Sequence, residues 1–245
     1  MKVIDMHAHL WLSNYEKNKS DILKGIEDYN IDMVFVSGLV SYMPDKDSVE
    51  KVNNEVYKFA KGNPNHIKAY TYISPEHNNA LDMMMRGIED NGAIGTKIWV
   101  SEKCDAMTIN PIAEKSIEYD LPILIHAFKK SMGEVANEST AVNVRNLALR
   151  YPKLKIIMAH VGGNAYHAMP LIKDLKNVWV DISGTDFHGD FLPYTLENIG
   201  AKRIMFGSDG AGAYLTTLGQ VLDADMTDCE REQILYKNAK ALFNL

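Results

Sequence analysis

The stretch that decides the fold is Lys2-Val3-Ile4-Asp5-Met6-His7-Ala8-His9-Leu10-Trp11, an apolar strand that runs straight into a His-x-His pair. Side chains two apart on a strand stand on one face, so His7 and His9 project together and can grip one ion. Such a pair is also met as an incidental polar pair, and a four-coordinate site needs further ligands that the rest of the chain must supply. The turn after the strand carries equal weight. An open doubly wound sheet places a glycine-rich phosphate loop there. The residues His7-Ala8-His9-Leu10-Trp11 contain no glycine, and a closed barrel becomes the better reading.

Outward from that strand, short β-branched and aromatic runs alternate with longer amphipathic stretches, the pattern of repeated βα units and a parallel sheet. Eight strands are predicted, at 2–6, 32–37, 67–73, 94–99, 122–125, 155–159, 178–182 and 203–206. Helices are predicted at 21–29, 48–61, 78–91, 110–119, 140–151, 165–176, 191–199 and 227–243. The 245 residues then divide into units of about 31, near the minimum of roughly 30 for a strand and its crossover helix. Thr227 with Glu230 forms a capping box, Asn63-Pro64 and Tyr151-Pro152 stop their helices, and Asn30, Gly62 and Gly200 suit helix exits. No linker or low-complexity tract interrupts the alternation. The expectation is a single α/β domain over 1–245, a distorted (β/α)8 TIM barrel.

Composition narrows the function. The chain is 46% hydrophobic and 24% charged, with 26 Lys and Arg against 32 Asp and Glu, a net charge of −6, and its basic residues are scattered. Nucleic acid is not an expected partner. Cys104 and Cys229 lie far apart without C-x-x-C spacing, which argues against a disulfide framework or a thiolate metal site. With no secretory leader and no apolar run of membrane-spanning length expected, cytoplasmic residence is the default.

Active sites of α/β barrels are built at the carboxyl ends of the strands. His7 and His9 follow the first strand, His126 closes Pro-Ile-Leu-Ile-His, His160 closes Lys-Ile-Ile-Met-Ala-His, and Asp209 ends Met-Phe-Gly-Ser-Asp on the eighth. Any one of these is explained by a buried, hydrogen-bonded His or a helix-capping Asp, but chance rarely sets all of them on one rim. Imidazoles and a carboxylate are donors that zinc or another borderline divalent metal accepts. His66, His77 and His167 read as solvated, capping or helical residues, whereas His188, in the loop after the seventh strand, is placed within reach of the mouth.

Lys97 stands inside the apolar run Ile94-Gly95-Thr96-Lys97-Ile98-Trp99, where a buried cation needs a partner. It reads as a salt-bridged residue on the outer face, a cation aimed at a substrate carboxylate, or a carbamylated lysine bridging two metals. Asp5 shares the face of His7 and His9 and is expected to orient one of them, and Asp181 in Val-Asp-Ile-Ser-Gly is expected to act likewise or to be structural. Trp11, Tyr42, Trp99 and Phe128 follow strands one, two, four and five, an aromatic collar for a flat ring or ordinary loop packing.

With these residues assembled, the chain resembles the amidohydrolase superfamily of metal-dependent barrels, in its amidohydrolase-related branch, which also contains non-oxidative decarboxylases. The carriers are Asp5-Met6-His7-Ala8-His9, Gly95-Thr96-Lys97-Ile98-Trp99, Leu124-Ile125-His126-Ala127, Met158-Ala159-His160-Val161-Gly162-Gly163, Val180-Asp181-Ile182-Ser183-Gly184 and Phe206-Gly207-Ser208-Asp209. The resemblance implies that His7, His9, His126 and Asp209 hold one divalent metal, zinc by preference, with His160 and Asp209 catalytic. Lys97 in place of a Glu on strand four argues against the deoxyribonuclease-like branch and leaves a second, carbamate-bridged metal open. The implied activity is hydrolysis of an amide, ester or lactone of a small polar molecule by a metal-activated water, with Lys97, Trp11 and Trp99 contacting substrate. The alternative is a lyase that releases carbon dioxide from a small cyclic carboxylate, and last comes a barrel that binds without turnover. A homodimer is implied as well.

Overall fold

The computed structural model describes residues 1–133, 135–184 and 190–245. Among these residues nine parallel strands are formed: β1 (Ile4–Trp11), β2 (Met33–Leu39), β3 (Ile67–Ala69), β4 (Thr71–Ile73), β5 (Thr96–Ile98), β6 (Ile123–Ile125), β7 (Ile156–Met158), β8 (Val178–Asp181) and β9 (Ile204–Met205). They run in the orders β1-β2-β3 and β4 to β9. Only Tyr70 separates β3 from β4, and its N–H still donates to the Val36 carbonyl at 2.9 Å, so the two are one stave and the predicted third strand stands with a break in it. The last gap closes where Met6 N–H donates to Phe206 O (3.0 Å) and Asp209 N–H to His7 O (2.7 Å). Eight staves thus make a (β/α)8 barrel.

Side-chain alternation explains the two cores. Leu124 and Ile157 pair in register and face inward with Ile4, Met6, Phe35, Tyr70 and Met205. Their neighbours Ile123, Ile125, Ile156 and Met158 face outward into the larger core under the helices. The C-terminal segment plugs the barrel floor: Leu242 and Phe243 join the inner cluster, and the Phe243 ring meets Phe35 edge-on at 4.8 Å. Lys97 pairs with Leu124 in register, so it shares the inward face and is fully buried. The outer-face reading of Lys97 is thereby excluded.

Among the described residues eight helices pack outside the staves: α1 (Tyr15–Tyr29), α2 (Lys46–Gly62), α3 (Ala80–Asn91), α4 (Asn110–Glu118), α5 (Ala141–Arg150), α6 (Ala165–Ile172), α7 (Phe191–Ile199) and α8 (Tyr214–Asp223). A C-terminal run follows, α9 (Asp228–Glu232), a π turn and α10 (Asn238–Leu242). Helix α7 has the predicted bounds. The first helix starts six residues earlier than predicted, and α8 was not foreseen, because its Gly210-Ala211-Gly212-Ala213 approach reads as loop. The capping box at Thr227 forms as expected, and a second one, not foreseen, forms at Thr140 with Asn143. Asn30 takes the left-handed conformation of a helix exit (φ 52°), whereas Gly62 remains helical and Asn63 caps α2. Among the described residues Cys104 is buried, Cys229 is exposed and both are free thiols. No helix is long and apolar enough to cross a membrane among the same residues.

Strand β1 departs from the prediction in a way that matters for the site. It continues through both histidines to Trp11, and its register against β2 slips between Asp5 and Ala8, where three steps of β1 oppose two of β2. A bulge of this kind re-aims side chains. Asp5 therefore does not orient an imidazole. Its Oδ1 accepts from the N–H groups of His7 (3.1 Å) and Ser208 (2.9 Å), and its Oδ2 accepts from Ser208 Oγ (2.6 Å). Burial pushes its carboxyl up to about 7, against these hydrogen bonds. Asp5 is the clasp of the closing seam. Replacement by Asn keeps an acceptor at Oδ1 and removes a buried charge, so Asp5→Asn should fold with stability close to the parent. Asp5→Ala strands buried donors and should lose roughly 2–3 kcal/mol in urea denaturation; equal stability of both variants would contradict the clasp.

Candidate functional site

At the carboxyl rim the staves bring His7, His9, His126, His160 and Asp209 together. His7 Nε2 lies 2.9 Å from His9 Nε2 and 3.5 Å from Asp209 Oδ1, and His9 Nε2 lies 3.0 Å from the same oxygen. His160 joins them: ligand atoms of His7, His160 and Asp209 all fall within 4.8 Å of one another. His126 reaches the cluster through Nδ1, 3.0 Å from His160 Nε2.

The opposite nitrogen of each ring is tied down, and this fixes what points inward. Asp181 Oδ2 stands 2.9 Å from His7 Nδ1, the Ser183 carbonyl 2.9 Å from His160 Nδ1, and Glu138 Oε1 2.8 Å from His126 Nε2. A carboxylate or carbonyl only accepts, so each of these nitrogens carries the proton and the other nitrogen of the neutral ring presents a lone pair. His9 Nδ1 is held by Ser37 Oγ at 2.8 Å. The inward atoms are thus His7 Nε2, His160 Nε2 and Asp209 Oδ1, which lie close together, with His126 Nδ1 beside His160 Nε2. The lone pairs of His126 Nδ1 and His160 Nε2, 3.0 Å apart, repel unless a proton or a cation lies between them. Nitrogen and carboxylate donors so arranged fit a borderline divalent ion, whose ligand distances are about 2.0–2.2 Å.

The electrostatics agree. Burial lowers His7 strongly and His9 as well, helped by the Lys97 charge, so both rings are neutral. Burial draws His126 down to about 4, against its hydrogen bond to Glu138. Burial raises Asp209, but His160, His9 and His7 outweigh it and hold the carboxylate well below its usual range. Lys97 Nζ is 3.0 Å from His7 Nε2, and burial draws it down to about 8 against the pull of Asp209 and Asp181.

Two of the rim residues sit on strained backbone. His160 (φ 62°) and Val161 (φ 48°) are left-handed, in a tight turn that follows β7, and Asp209 (φ 65°) is left-handed after β9. For non-glycine residues this costs of order 1–3 kcal/mol each and persists only where the surroundings enforce it. Here they do: His160 N–H donates to Asp181 Oδ1 (3.2 Å), and Asp209 N–H to His7 O (2.7 Å). Gly184 is required beside them, because a Cβ there would lie 2.8 Å from His160 Nδ1.

Of the expected collar, Trp11, Trp99 and Tyr42 meet edge to face, with ring centroids at 5.3 and 5.2 Å. Phe128 instead stacks on His126 at 6.2 Å. A cavity of about 320 Å³ opens between His9, Trp11, Asn18, Asp21 and Asp209. His66 and His167 are exposed and His77 is half-buried against the Pro44 carbonyl, all away from the cluster; His188 lies outside the described residues. Asp181 holds His7 Nδ1, the first of the two readings left open for it. Sequence reasoning missed Ser37, Ser183 and Glu138. Ser37 pairs in register with His9, and Ser183 lies two residues beyond Asp181, so both were open to a register argument. Glu138 arrives from a loop and left no periodic signal.

The amidohydrolase family profile matches residues 4–245. Among solved structures, the chain is similar to 2,6-dihydroxybenzoate decarboxylase from Rhizobium, at 17% identity over 100% of this chain and 99% of that one, with a TM-score of 0.80. It is also similar to 5-carboxyvanillate decarboxylase from Novosphingobium aromaticivorans complexed with manganese and 4-hydroxy-3-methoxy-5-nitrobenzoic acid (16%, 99% and 96% covered, TM-score 0.81). A third is 4-oxalomesaconate hydratase from Rhodopseudomonas palustris (17%, 99% and 95% covered, TM-score 0.73). At these identities the likeness is one of fold.

A His whose folded pKa is depressed contributes stability that is present above its unfolded value and is lost as pH falls. For His126 the window runs from the reference value of about 6.5 down to about 4. Metal-free protein should therefore lose stability relative to a His126→Gln variant across that window, measured by thermal melts. A difference that stays flat with pH would contradict the neutral, buried ring.

Proposed function

This chain belongs to the amidohydrolase family, and we propose that within it the protein is a metal-dependent enzyme that removes carbon dioxide from a small planar carboxylate. The observation that carries this reading is Lys97, a fully buried ammonium 3.0 Å from His7 Nε2. A second cation beside a divalent ion is repelled by it unless an anion lies against both. A substrate carboxylate supplies that anion, whereas a neutral amide or ester does not.

His7, His9, His126 and Asp209 would hold one ion, zinc on the balance of nitrogen and oxygen donors. When bound, the ion polarises a substrate oxygen and stabilises charge developing on it. Lys97 then acts as a cation that pairs with the carboxylate, and one metal is favoured over two bridged by a carbamylated Lys97. Trp11 and Trp99 wall the ring and exclude water. His160, anchored through Nδ1, turns Nε2 toward the reacting carbon. Asp209, partly exposed on the solvent side, passes a proton to this Nε2, and the imidazolium so formed gives it to that carbon as the bond to the carboxylate carbon breaks, the electron pair of that bond becoming the new C–H bond and carbon dioxide leaving.

Hydrolysis of a carboxylated lactone or cyclic amide is the second reading. It is supported by Asp209, a carboxylate held ionised and therefore fit to accept a proton from an attacking water.

Aromatic carboxylates, lactones and cyclic amides, scored separately for carbon dioxide and for ring opening, test the choice. Carbon dioxide release that stops on chelation and returns with zinc or manganese is expected; ring opening without it would move the assignment to hydrolysis. Lys97→Met should raise KM for the carboxylate by tenfold or more, on the order of 1.4 kcal/mol, with kcat much less affected. An unchanged KM would remove Lys97 from substrate binding.

A further inference from the structure

The loop between His126 and α5 is built to deliver one buried acid. Phe128 N–H donates to the Ser139 carbonyl at 2.8 Å, Cys104 N–H donates to Ser139 Oγ at 2.9 Å, and Asn137 Nδ2 donates to the Ser101 carbonyl at 2.9 Å. Between these ties Glu138 is buried, its Oε1 2.8 Å from His126 Nε2 and its Oε2 2.9 Å from Lys130 Nζ. Burial raises its carboxyl, but His126 and Lys130 outweigh it and keep it ionised. His7 and His160 are held from β8 and the turn just after it, and His9 from β2, whereas the anchor of His126 comes from a longer loop.

We propose that Glu138 is a positioning residue of the metal centre, which fixes His126 with its proton on Nε2 so that Nδ1 is presented to the ion. The inference rests on the metal reading given above. With Glu138 gone, the ring is free to carry its proton on Nδ1, which turns a donor pair into a blocked one. Outer-shell partners of a ligating His are worth about tenfold to a hundredfold in metal affinity.

Cobalt(II) titration of the full-length protein, read by its visible absorption and by competition with a chelator, tests this without reference to turnover. Glu138→Ala should bind cobalt about tenfold to a hundredfold more weakly with an altered spectrum. Glu138→Gln, which keeps an acceptor oxygen, should recover most of the affinity. Lys130→Ala separates the two bonds of Glu138. If the acid merely braces the loop through its ion pair, this variant should weaken cobalt as much as Glu138→Ala; positioning through His126 predicts affinity close to the parent. Should Glu138→Ala fail to fold by circular dichroism, Glu138→Met fills the space without an acceptor and carries the same expectation. Parent-like affinity and spectrum in the Ala or Met variant would overturn the role of Glu138 alone. A parent protein that takes up no cobalt would overturn the metal reading together with it.

Discussion

Imidazole lone pairs repel one another, and this barrel holds two of them face to face. His126 Nδ1 and His160 Nε2 are 3.0 Å apart. Both rings are clamped from behind by groups that can only accept a hydrogen bond, so they cannot relieve the repulsion by moving a proton inward. The arrangement is costly in isolation and becomes favourable around a shared cation. Much of the rim serves this one requirement: the bulge in β1, the left-handed turns at His160 and Asp209, and the missing side chain at Gly184.

The barrel makes such convergence possible because its register is set by burial. A slip of one residue in any stave would exchange its inward and outward faces, which would send Lys97 among the outer isoleucines and Leu124 away from the floor. The seam between the first and last staves is the weak point of a closed sheet. Asp5 occupies it, accepting from Ser208 and His7 and so coupling the strand that carries two imidazoles to the turn that carries Asp209. Fold and site share that joint.

How much was legible follows from which interactions are periodic. All eight staves were read from alternation, because buried β-branched runs follow from the pleat, and His7, His9, His126, His160 and Asp209 were found because strand ends are identifiable in sequence. The edges were misjudged where tertiary contacts override local signal: β1 runs past its histidines because β2 is there to pair with it, and α8 forms although glycines precede it. The role given to Asp5 failed because a bulge cannot be seen in one strand. Lys97 was left open between three readings until its register with Leu124 settled the face. That placement moves the weight from hydrolysis toward loss of carbon dioxide. Glu138 lay beyond reach because loop closure depends on hydrogen bonds to Ser101, Cys104 and Phe128 that no pattern announces.

Anomalous diffraction from crystals soaked in zinc or manganese measures the shared cation directly. One peak is expected, within bonding distance of Nε2 of His7 and His9, of Nδ1 of His126 and of Oδ1 of Asp209. A peak lying elsewhere, or facing rings with no ion between them at saturating metal, would contradict a centre organised around a single bound cation.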